Sequence, residues 1–110
     1  MISARHKLNI SLASKDFKPL YRGRFLLVKA KENELPYSRV GVMVSRKNSL
    51  LAVRRNWLKR TVYGFFEGNK PFLDDKKPYL DYLIIFLTSY SEIKDNKKTL
   101  IQELNNVISI

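Results

Sequence analysis

The longest strongly apolar run of the chain is Tyr82-Leu-Ile-Ile-Phe-Leu87, which Thr88 follows. It is far shorter than the roughly 20 residues that a membrane-spanning helix needs. Its β-branched and aromatic residues favour a strand. Successive residues of a strand point to opposite faces of the sheet, and here both sets are apolar. We therefore expect this strand to be buried on both faces. The rest of the chain must therefore supply the strands and helices that cover it.

Two further strands precede this run. Arg24–Lys31 contains the largely apolar block Phe25-Leu-Leu-Val-Lys-Ala30, and Arg39–Ser45 follows after a loop that contains Pro36. Apolar runs of this length, separated by a short polar loop, are typical of an antiparallel hairpin.

Three helices are predicted around these strands. The first begins with Asp16 as its N-cap, which places Pro19 in the first turn, and it ends at Gly23. The second is long, with a Ser49 cap and an end at Gly68-Asn69. Its apolar face comprises Leu51, Leu58, Val62, Phe65 and Phe66. The third runs from about Ile93 to Ile108, with a core face of Leu100, Ile101, Leu104, Val107 and Ile108.

The predicted order is thus helix, strand, strand, long helix, strand, helix, with a loop over residues 69–81. This order is typical of an α+β or α/β two-layer sandwich, a small mixed sheet with about three helices packed on it. The length of 110 residues fits one domain, and residues 1–13 are expected to be loosely ordered within it.

Positive charge is concentrated in the first part of the chain. Residues 1–60 hold 15 Lys and Arg but only 3 Asp and Glu, whereas residues 61–110 hold 6 and 7 of these two classes. All eight arginines lie before residue 61. Since Arg forks onto phosphate and stacks on bases, this asymmetry predicts a polyanionic partner. A basic surface that only solvent contacts is the alternative that composition leaves open.

The chain offers few groups for catalysis. It has no Cys, which excludes disulfides, thiolate zinc sites and cysteine nucleophiles and is consistent with a reducing compartment, so the cytoplasm is expected. A lone histidine, His6, is a poor general base without a positioned partner. The pair Asp74-Asp75 fits a solvated turn better than a hydrated Mg²⁺ site. We therefore expect no catalytic residue and no metal site in the protein itself.

The segment from Val44 to Tyr63 carries the clearest functional pattern. A strand ends in Ser45-Arg-Lys47, and a helix then presents Arg55-Asn56 and Lys59-Arg60. Residues four apart lie on adjacent turns of a helix, so these two pairs form a compact set of phosphate donors. Asn56 adds a polar group that can bond a ribose or a base edge.

This segment resembles the protein subunit of bacterial ribonuclease P. The resemblance rests on Arg39-Val-Gly41, Val44-Ser-Arg-Lys47 and Ala52-Val-Arg-Arg-Asn-Trp-Leu-Lys-Arg60, which follow the family's order. Upstream, Asp16-Phe-Lys-Pro-Leu-Tyr21 is similar to the family's Asp-Phe segment, and downstream Asp81-Tyr-Leu-Ile-Ile85 is similar to its last strand. The likeness covers residues 5–108, and the helix motif is its most specific part.

The resemblance implies that an RNA subunit performs the chemistry. In that family the RNA cleaves precursor tRNA with Mg²⁺ ions that it mainly holds itself, so the protein alone would bind no cofactor. It would act as a monomer in a one-to-one complex with this RNA. The residues expected to contact the catalytic RNA are Arg46, Lys47, Arg54, Arg55, Asn56, Trp57, Lys59, Arg60 and Tyr63.

The same resemblance implies a site for the 5′ leader of precursor tRNA. A cleft between the first helix and the sheet would hold the leader as an extended single strand. Phe17 and Tyr21 would stack on its bases, while Lys15 and Arg22 would neutralise phosphates. A plain core position is the alternative for Phe17. The family's left-handed strand–helix–strand crossover, which departs from the general right-handed rule, is also expected here.

Three features depart from the family pattern. Trp57 and Tyr63 stand where the family has arginines, and Asn48-Ser-Leu-Leu51 lacks a customary Gly and is one residue longer. The two aromatic side chains either stack on bases or ribose or cover neighbouring side chains, and both interpretations stay open.

Two other classes of protein share some of these properties. A non-catalytic structural RNA-binding protein, such as a ribosomal protein, would have the same charge, size and layering. A protein of anionic membrane surfaces has less support, because the long helix directs its aromatic residues to the core face and away from lipid.

Overall fold

The computed structural model describes residues 4–9 and 16–110. Within these ranges the strands are β1 (Lys18–Arg22), β2 (Leu26–Glu32), β3 (Arg39–Met43) and β4 (Leu80–Phe86). The helices are α1 (Ala52–Glu67), α2 (Lys70–Asp74), α3 (Tyr90–Asp95) and α4 (Lys97–Ile108), and a 3₁₀ turn covers Ala4–His6. A mixed sheet with helices packed on it confirms the predicted α+β class.

The sheet has the strand order β1-β2-β4-β3. β2 is antiparallel to both β1 and β4, whereas β3 is parallel to β4. β4 is therefore an inner strand, and its residues Asp81 to Ile84 are all buried, as its apolar run predicts. The chain crosses from β3 to β4 through α1 and α2, and the left-handed sense of this crossover stays a prediction.

One face of the sheet forms the core with the helices. Side chains alternate along a strand, so Val28, Ile84 and Val42, which pair across β2, β4 and β3, lie in one row. All three are fully buried. The helical members of the same cluster are Leu58, Val62, Phe66, Phe72, Leu73, Ile93, Leu100, Leu104 and Val107. Every helix from α1 to α4 thus contributes to one core.

The helix predicted from Asp16 to Gly23 is wrong, because residues 18–22 form the edge strand β1. Pro19 has no N–H to donate, and both an edge strand and the first turn of a helix tolerate this. The local sequence therefore does not distinguish a helix from an edge strand at this position. Pairing with β2, interrupted by an irregularity between Pro19 and Tyr21, favours the strand.

The predicted hairpin between β2 and β3 is also wrong, because β4 lies between them. β4 is the most apolar strand, and the inner position pairs both of its edges with neighbouring strands. The connection between β2 and β3 bends around Asn33, whose Nδ2 donates hydrogen bonds to the carbonyl of Tyr37 at 3.2 Å and to Asp81 Oδ1 at 2.9 Å.

An ion pair fixes the register of the parallel strands. Arg39 and Asp81 are partners in the β3–β4 pairing. Arg39 Nε donates to Asp81 Oδ1 at 2.8 Å, and its Nη2 donates to Oδ2 at 2.7 Å. These charge-assisted bonds raise the pKa of the Arg39 guanidinium. Arg39, although part of the family-like pattern, therefore serves the sheet.

α1 confirms the predicted long helix and its end at Gly68. Leu58, Val62 and Phe66 are buried on its inner side. Its beginning differs from the prediction, because Ser49 Oγ accepts a hydrogen bond from Leu51 N at 3.1 Å in the preceding turn and does not cap the helix. Leu51 precedes the helix and is 51% exposed, so it does not join the apolar face.

The segment predicted as a loop over residues 69–81 contains α2. Pro71 lies in the first turn of this helix, where its missing N–H costs no bond. Phe72 and Leu73 are buried, which explains why this short helix is held against the core.

The predicted final helix is two helices. α3 begins before Ile93, and Ser89 Oγ caps it by accepting a hydrogen bond from Glu92 N at 3.4 Å. The chain leaves helical geometry at Asn96, where φ is −127°. The predicted core face of α4 is confirmed at Leu100, Leu104 and Val107, whereas Ile101 and Ile108 are half-buried.

Tyr82 makes the fold sensitive to alkaline pH. Its side chain is only 4% exposed, and burial raises its pKa from 10.0 to about 12. The Tyr82 hydroxyl ionises at a lower pH in the unfolded chain than in the folded protein. Its burial therefore contributes its full share to the free energy of unfolding below about pH 10. This share, about 3 kcal/mol, is lost as the pH rises toward 12. Tyr82→Phe should therefore reduce the decrease in the free energy of unfolding over this range, measured by urea titration. An equal decrease in both proteins would contradict this.

Candidate nucleic-acid interface

The outer side of α1 carries the predicted basic residues. The buried residues of this helix hold the opposite side in the core, which leaves Arg54, Asn56 and Arg60 exposed. Arg55 and Lys59 are half-buried, so their aliphatic stems lie against the protein while their charged groups reach outward. Asn56 and Arg60 are on adjacent turns and face the same region of solvent.

Asn48 organises the loop that leads into α1, a role that sequence reasoning missed. It is buried, its Oδ1 accepts a hydrogen bond from Ser45 N at 2.9 Å, and its Nδ2 donates to the carbonyl of Thr88 at 2.6 Å. Its own carbonyl accepts a hydrogen bond from Tyr90 N at 2.8 Å. These bonds join the loop to the chain that follows β4, 40 residues away, so no local pattern could have shown them.

The loop exposes Arg46 and Lys47 ahead of the helix. Arg55 connects the helix to this loop, because its Nη1 donates a hydrogen bond to the carbonyl of Ser49 at 2.9 Å. A guanidinium has five N–H donors, so this bond uses only part of its capacity. Arg55 can hold the loop and still approach a phosphate.

Trp57 is enclosed by aromatic and cationic neighbours. It is half-buried and packs against the core cluster. Its ring meets Tyr90 edge to face, with 5.5 Å between centroids, and Lys97 Nζ lies 5.7 Å from its ring centroid. This arrangement favours the interpretation in which Trp57 covers its neighbours over the one in which it stacks on a base.

The Tyr63 side chain extends from α1 to β3. Its hydroxyl accepts a hydrogen bond from Val42 N at 3.3 Å, and burial raises the pKa of this hydroxyl. Lys7 Nζ lies 5.4 Å from the ring centroid. Together with Lys59, these residues line a cleft of about 410 Å³, so Tyr63 borders the basic side of α1 and packs against the sheet at the same time.

The structure places the predicted leader-binding residues Tyr21 and Arg22 on different faces. Tyr21 pairs with Val28 and packs against the core cluster on the helical side of the sheet. Arg22 pairs with Leu27, whose side chain points to the other face, and Arg22 is exposed there. Residues 18–22 thus form no helical wall for the predicted cleft, because they are a strand.

A different cleft, of about 450 Å³, follows β1 and β2. Lys18 and Lys31 contribute positive charge to its lining, and Asp16 and Glu32 contribute negative charge. Lys31 Nζ is 3.7 Å from Asp16 Oδ2. Phe17 is half-buried and lies in the chain between two of the lining residues. This cleft is the nearest counterpart of the predicted leader site, and Lys15 lies outside the described residues.

Two carboxylates of the helical layer are bonded to other groups of the protein, Glu103 in the interior and Glu92 at the surface. Glu103 is buried, and its carboxylate accepts hydrogen bonds from Phe25 N at 3.0 Å and from Leu26 N at 3.2 Å. Glu92 Oε1 accepts a hydrogen bond from Arg24 Nη2 at 3.0 Å. Neither carboxylate is therefore directed at the basic residues of α1.

His6 is only 3% exposed, and its Nε2 lies 2.6 Å from Asp74 Oδ1. Arg5 Nη2 donates to the same oxygen at 3.2 Å. Asp74 therefore anchors the N-terminal segment to α2, which corrects its prediction as part of a solvated turn. A histidine buried in this way cannot reach a substrate.

Residues 4–9 and 16–110 bring together no group of three or more His, Asp or Glu side chains that could hold a metal ion. Over the same residues, no helix has the length and apolar character to cross a membrane.

Comparison with known proteins agrees with this geometry. The sequence model of the family described as Ribonuclease P matches residues 13–110. The ribonuclease P protein component of Chromobacterium violaceum is 37% identical over 67 residues, which are 61% of this chain and 52% of that protein. That of Pseudomonas putida is 36% identical over 73 residues, 66% and 52% of the two chains. The chain thus spans about half the length of these curated relatives.

The solved structure of the RNase P protein from Thermotoga maritima shares the whole architecture. It is 29% identical to this chain, with a TM-score of 0.76, and the match covers 93% of this chain and 94% of that chain. The family match extends over the sheet, α1 and the loop that precedes it, and the chain therefore belongs to the ribonuclease P protein family.

Proposed function

We propose that the chain is the protein subunit of ribonuclease P. It binds the catalytic RNA and the 5′ leader of precursor tRNA and assists the Mg²⁺-dependent endonucleolytic removal of the leader, which produces mature tRNA 5′ ends. The observation that carries this proposal is the outer side of α1, where Arg54, Asn56 and Arg60 are exposed next to Arg55 and Lys59. Cations held on a packed helix in this way suit RNA phosphates.

In this proposal the RNA performs the chemistry and mainly holds the Mg²⁺ ions. The burial of His6 supports this division, because the histidine cannot serve as a general base from inside the protein. The protein contributes positive potential, which lowers the repulsion between two polyanions, the catalytic RNA and its substrate. It acts in the cytoplasm as a monomer in a one-to-one complex with the RNA.

The leader binds as a single strand in the cleft along β1 and β2. Lys18 and Lys31, which line the cleft together with Asp16 and Glu32, contact its phosphates there. Phe17, which lies in the chain between Asp16 and Lys18, supplies a ring on which a base stacks. Stacking and charge tolerate many sequences, which suits a leader that differs from one precursor tRNA to the next.

Reconstitution tests the proposed function. The purified protein is added to the host's ribonuclease P RNA at low Mg²⁺ and moderate salt, and release of the 5′ leader from a precursor tRNA is followed. Controls are the protein alone and another small basic protein. We expect cleavage that needs both components and that the control protein does not restore. A folded protein that gives no stimulation would contradict the proposal and favour a structural RNA-binding protein of the ribosomal kind.

Phe17→Ala tests the leader site. Loss of one stacked base costs about 1–3 kcal/mol, so we expect roughly tenfold weaker binding of precursor tRNA to the reconstituted complex. Mature tRNA, which has no leader, should bind as it does with the wild-type protein. Tyr79→Ala, which removes another half-buried aromatic ring, is the control and should not discriminate between the two RNAs. Equal losses for both RNAs in Phe17→Ala would show that Phe17 is a core residue.

A further inference from the structure

Lysines of α3 and α4 lie against two aromatic rings, Tyr90 of α3 and Trp57 of α1. Lys94 Nζ is 5.5 Å from the ring centroid of Tyr90, and Lys97 Nζ is 5.7 Å from that of Trp57. The guanidinium of Arg54 is 5.1 Å from the same Tyr90 ring, and the two rings are 5.5 Å apart. The rings thus connect cations from three helices into one continuous surface.

Lys98 extends this surface along α4. It is exposed and lines a shallow cleft of about 310 Å³ with Lys97 and Ile101. The composition of residues 61–110, with 6 basic and 7 acidic side chains, gave no sign of a basic region. Only the packing of α3 and α4 against α1 brings these lysines to the basic end of the molecule.

The carboxylates of α3 and α4 do not cancel this charge. Glu103 is buried and bonded to the main chain of Phe25 and Leu26, and Glu92 is paired with Arg24. Asp95 is the remaining exposed carboxylate of these two helices. Three exposed lysines therefore stand against one carboxylate, Asp95, that is neither buried nor paired with Arg24.

We propose that Lys94, Lys97 and Lys98, together with Arg54, form a second phosphate-binding surface that receives the sugar–phosphate backbone of the catalytic RNA. This inference rests on the proposed function and extends the RNA contact from α1 onto α3 and α4. A cation held over an aromatic ring is partly positioned before binding, which reduces the entropy lost when RNA is bound. The rings themselves are covered by cations, so the contact reads phosphate and not base sequence.

The test is the salt dependence with which the whole 110-residue chain binds ribonuclease P RNA. The triple variant Lys94→Gln/Lys97→Gln/Lys98→Gln should bind more weakly at low salt, and the slope of log affinity against log salt should fall by about 2. Replacing the same three lysines by Arg should keep the wild-type slope. The matched control Lys70→Gln/Lys77→Gln, which removes exposed lysines from α2 and the loop after it, should also keep that slope.

The outcomes separate this inference from the proposed function. A wild-type slope in a triple variant that unfolds at the wild-type temperature would overturn the second surface and leave the proposed function intact. An equal loss per charge in the control variant would also overturn it, because the effect would then be one of total charge. A wild-type protein that does not bind the RNA would overturn both.

Discussion

Replacing Lys59 and Arg60 together by Ala should weaken binding to the catalytic RNA by tenfold or more. Both lie on the outer side of α1, and each charge-assisted bond to a phosphate is worth about 1.5–3 kcal/mol. Removing them should lower the slope of log affinity against log salt by about 1–2, because fewer counterions are released from the RNA on binding. Filter binding or fluorescence anisotropy at several salt concentrations measures both quantities.

The fold should be unaffected by this change, since neither side chain belongs to the core cluster. Lys70→Ala/Lys77→Ala is the matched control, because it removes the same charge from exposed positions outside the predicted interface. It should leave the slope unchanged. If the Lys59 and Arg60 variant also kept the wild-type slope, α1 would not be part of the RNA interface.

Glu103→Ala should destabilise the fold strongly, by about 3 kcal/mol. The carboxylate is 5% exposed and accepts hydrogen bonds from the main-chain N–H groups of Phe25 and Leu26. Without it, two buried donors at the start of β2 lose their partner, and each unsatisfied donor costs about 1–3 kcal/mol. Because the total stability of a small domain is about 5–15 kcal/mol, this is a large fraction of it.

Urea unfolding measures the loss of stability in Glu103→Ala. Two further variants on α4 and one at Gly23 test whether the loss comes from the hydrogen bonds of the carboxylate. Glu103→Gln keeps one acceptor oxygen and should lose less than the Ala variant. Gln102→Ala, at the exposed neighbouring position, should change the free energy of unfolding by less than about 0.5 kcal/mol. Gly23→Ala should also destabilise the fold, because the added Cβ would collide with the Glu103 carboxylate and lie 2.6 Å from Tyr21 Oη. Equal stability of Glu103→Ala and Gln102→Ala would show that the turn before β2 finds other acceptors.

α1 explains how one helix serves both the fold and the proposed function. Leu58, Val62 and Phe66 bury one side of it in the core, while Asn56 and Arg60 remain outside. The rigid core thus determines the spacing of the outer polar groups. A basic site on a packed helix loses little conformational freedom when it binds RNA, in contrast to the same residues on a flexible tail.

The sequence predicted the elements whose signals are local. The 3.6-residue spacing of Leu58, Val62 and Phe66 predicts α1, and Gly68 predicts its end. The apolar run from Tyr82 predicts a buried strand. The basic side of α1 was predicted in the same way, since residues four apart on a helix share a face wherever the helix is placed.

The predictions were wrong where two local structures have similar free energies. Pro19 fits the first turn of a helix and an edge strand equally well, and pairing with β2 decided between them. Similarly, β2 and β3 had hairpin-like spacing, but pairing each of them with β4 buries more apolar surface. In both cases the deciding partner lies elsewhere in the chain, where a local pattern contains no information about it.

The sequence by itself thus determined the fold class and the helix that carries the basic residues, and it predicted a polyanionic partner, because periodicity and charge are properties of neighbouring residues. Only the tertiary structure decided the strand order, the bonding of Glu103 to the turn before β2, and the approach of Lys94 and Lys97 to Tyr90 and Trp57. These contacts join groups that are far apart in the chain. Their free energy depends on burial and distance in the folded state, and neither exists until the chain has packed.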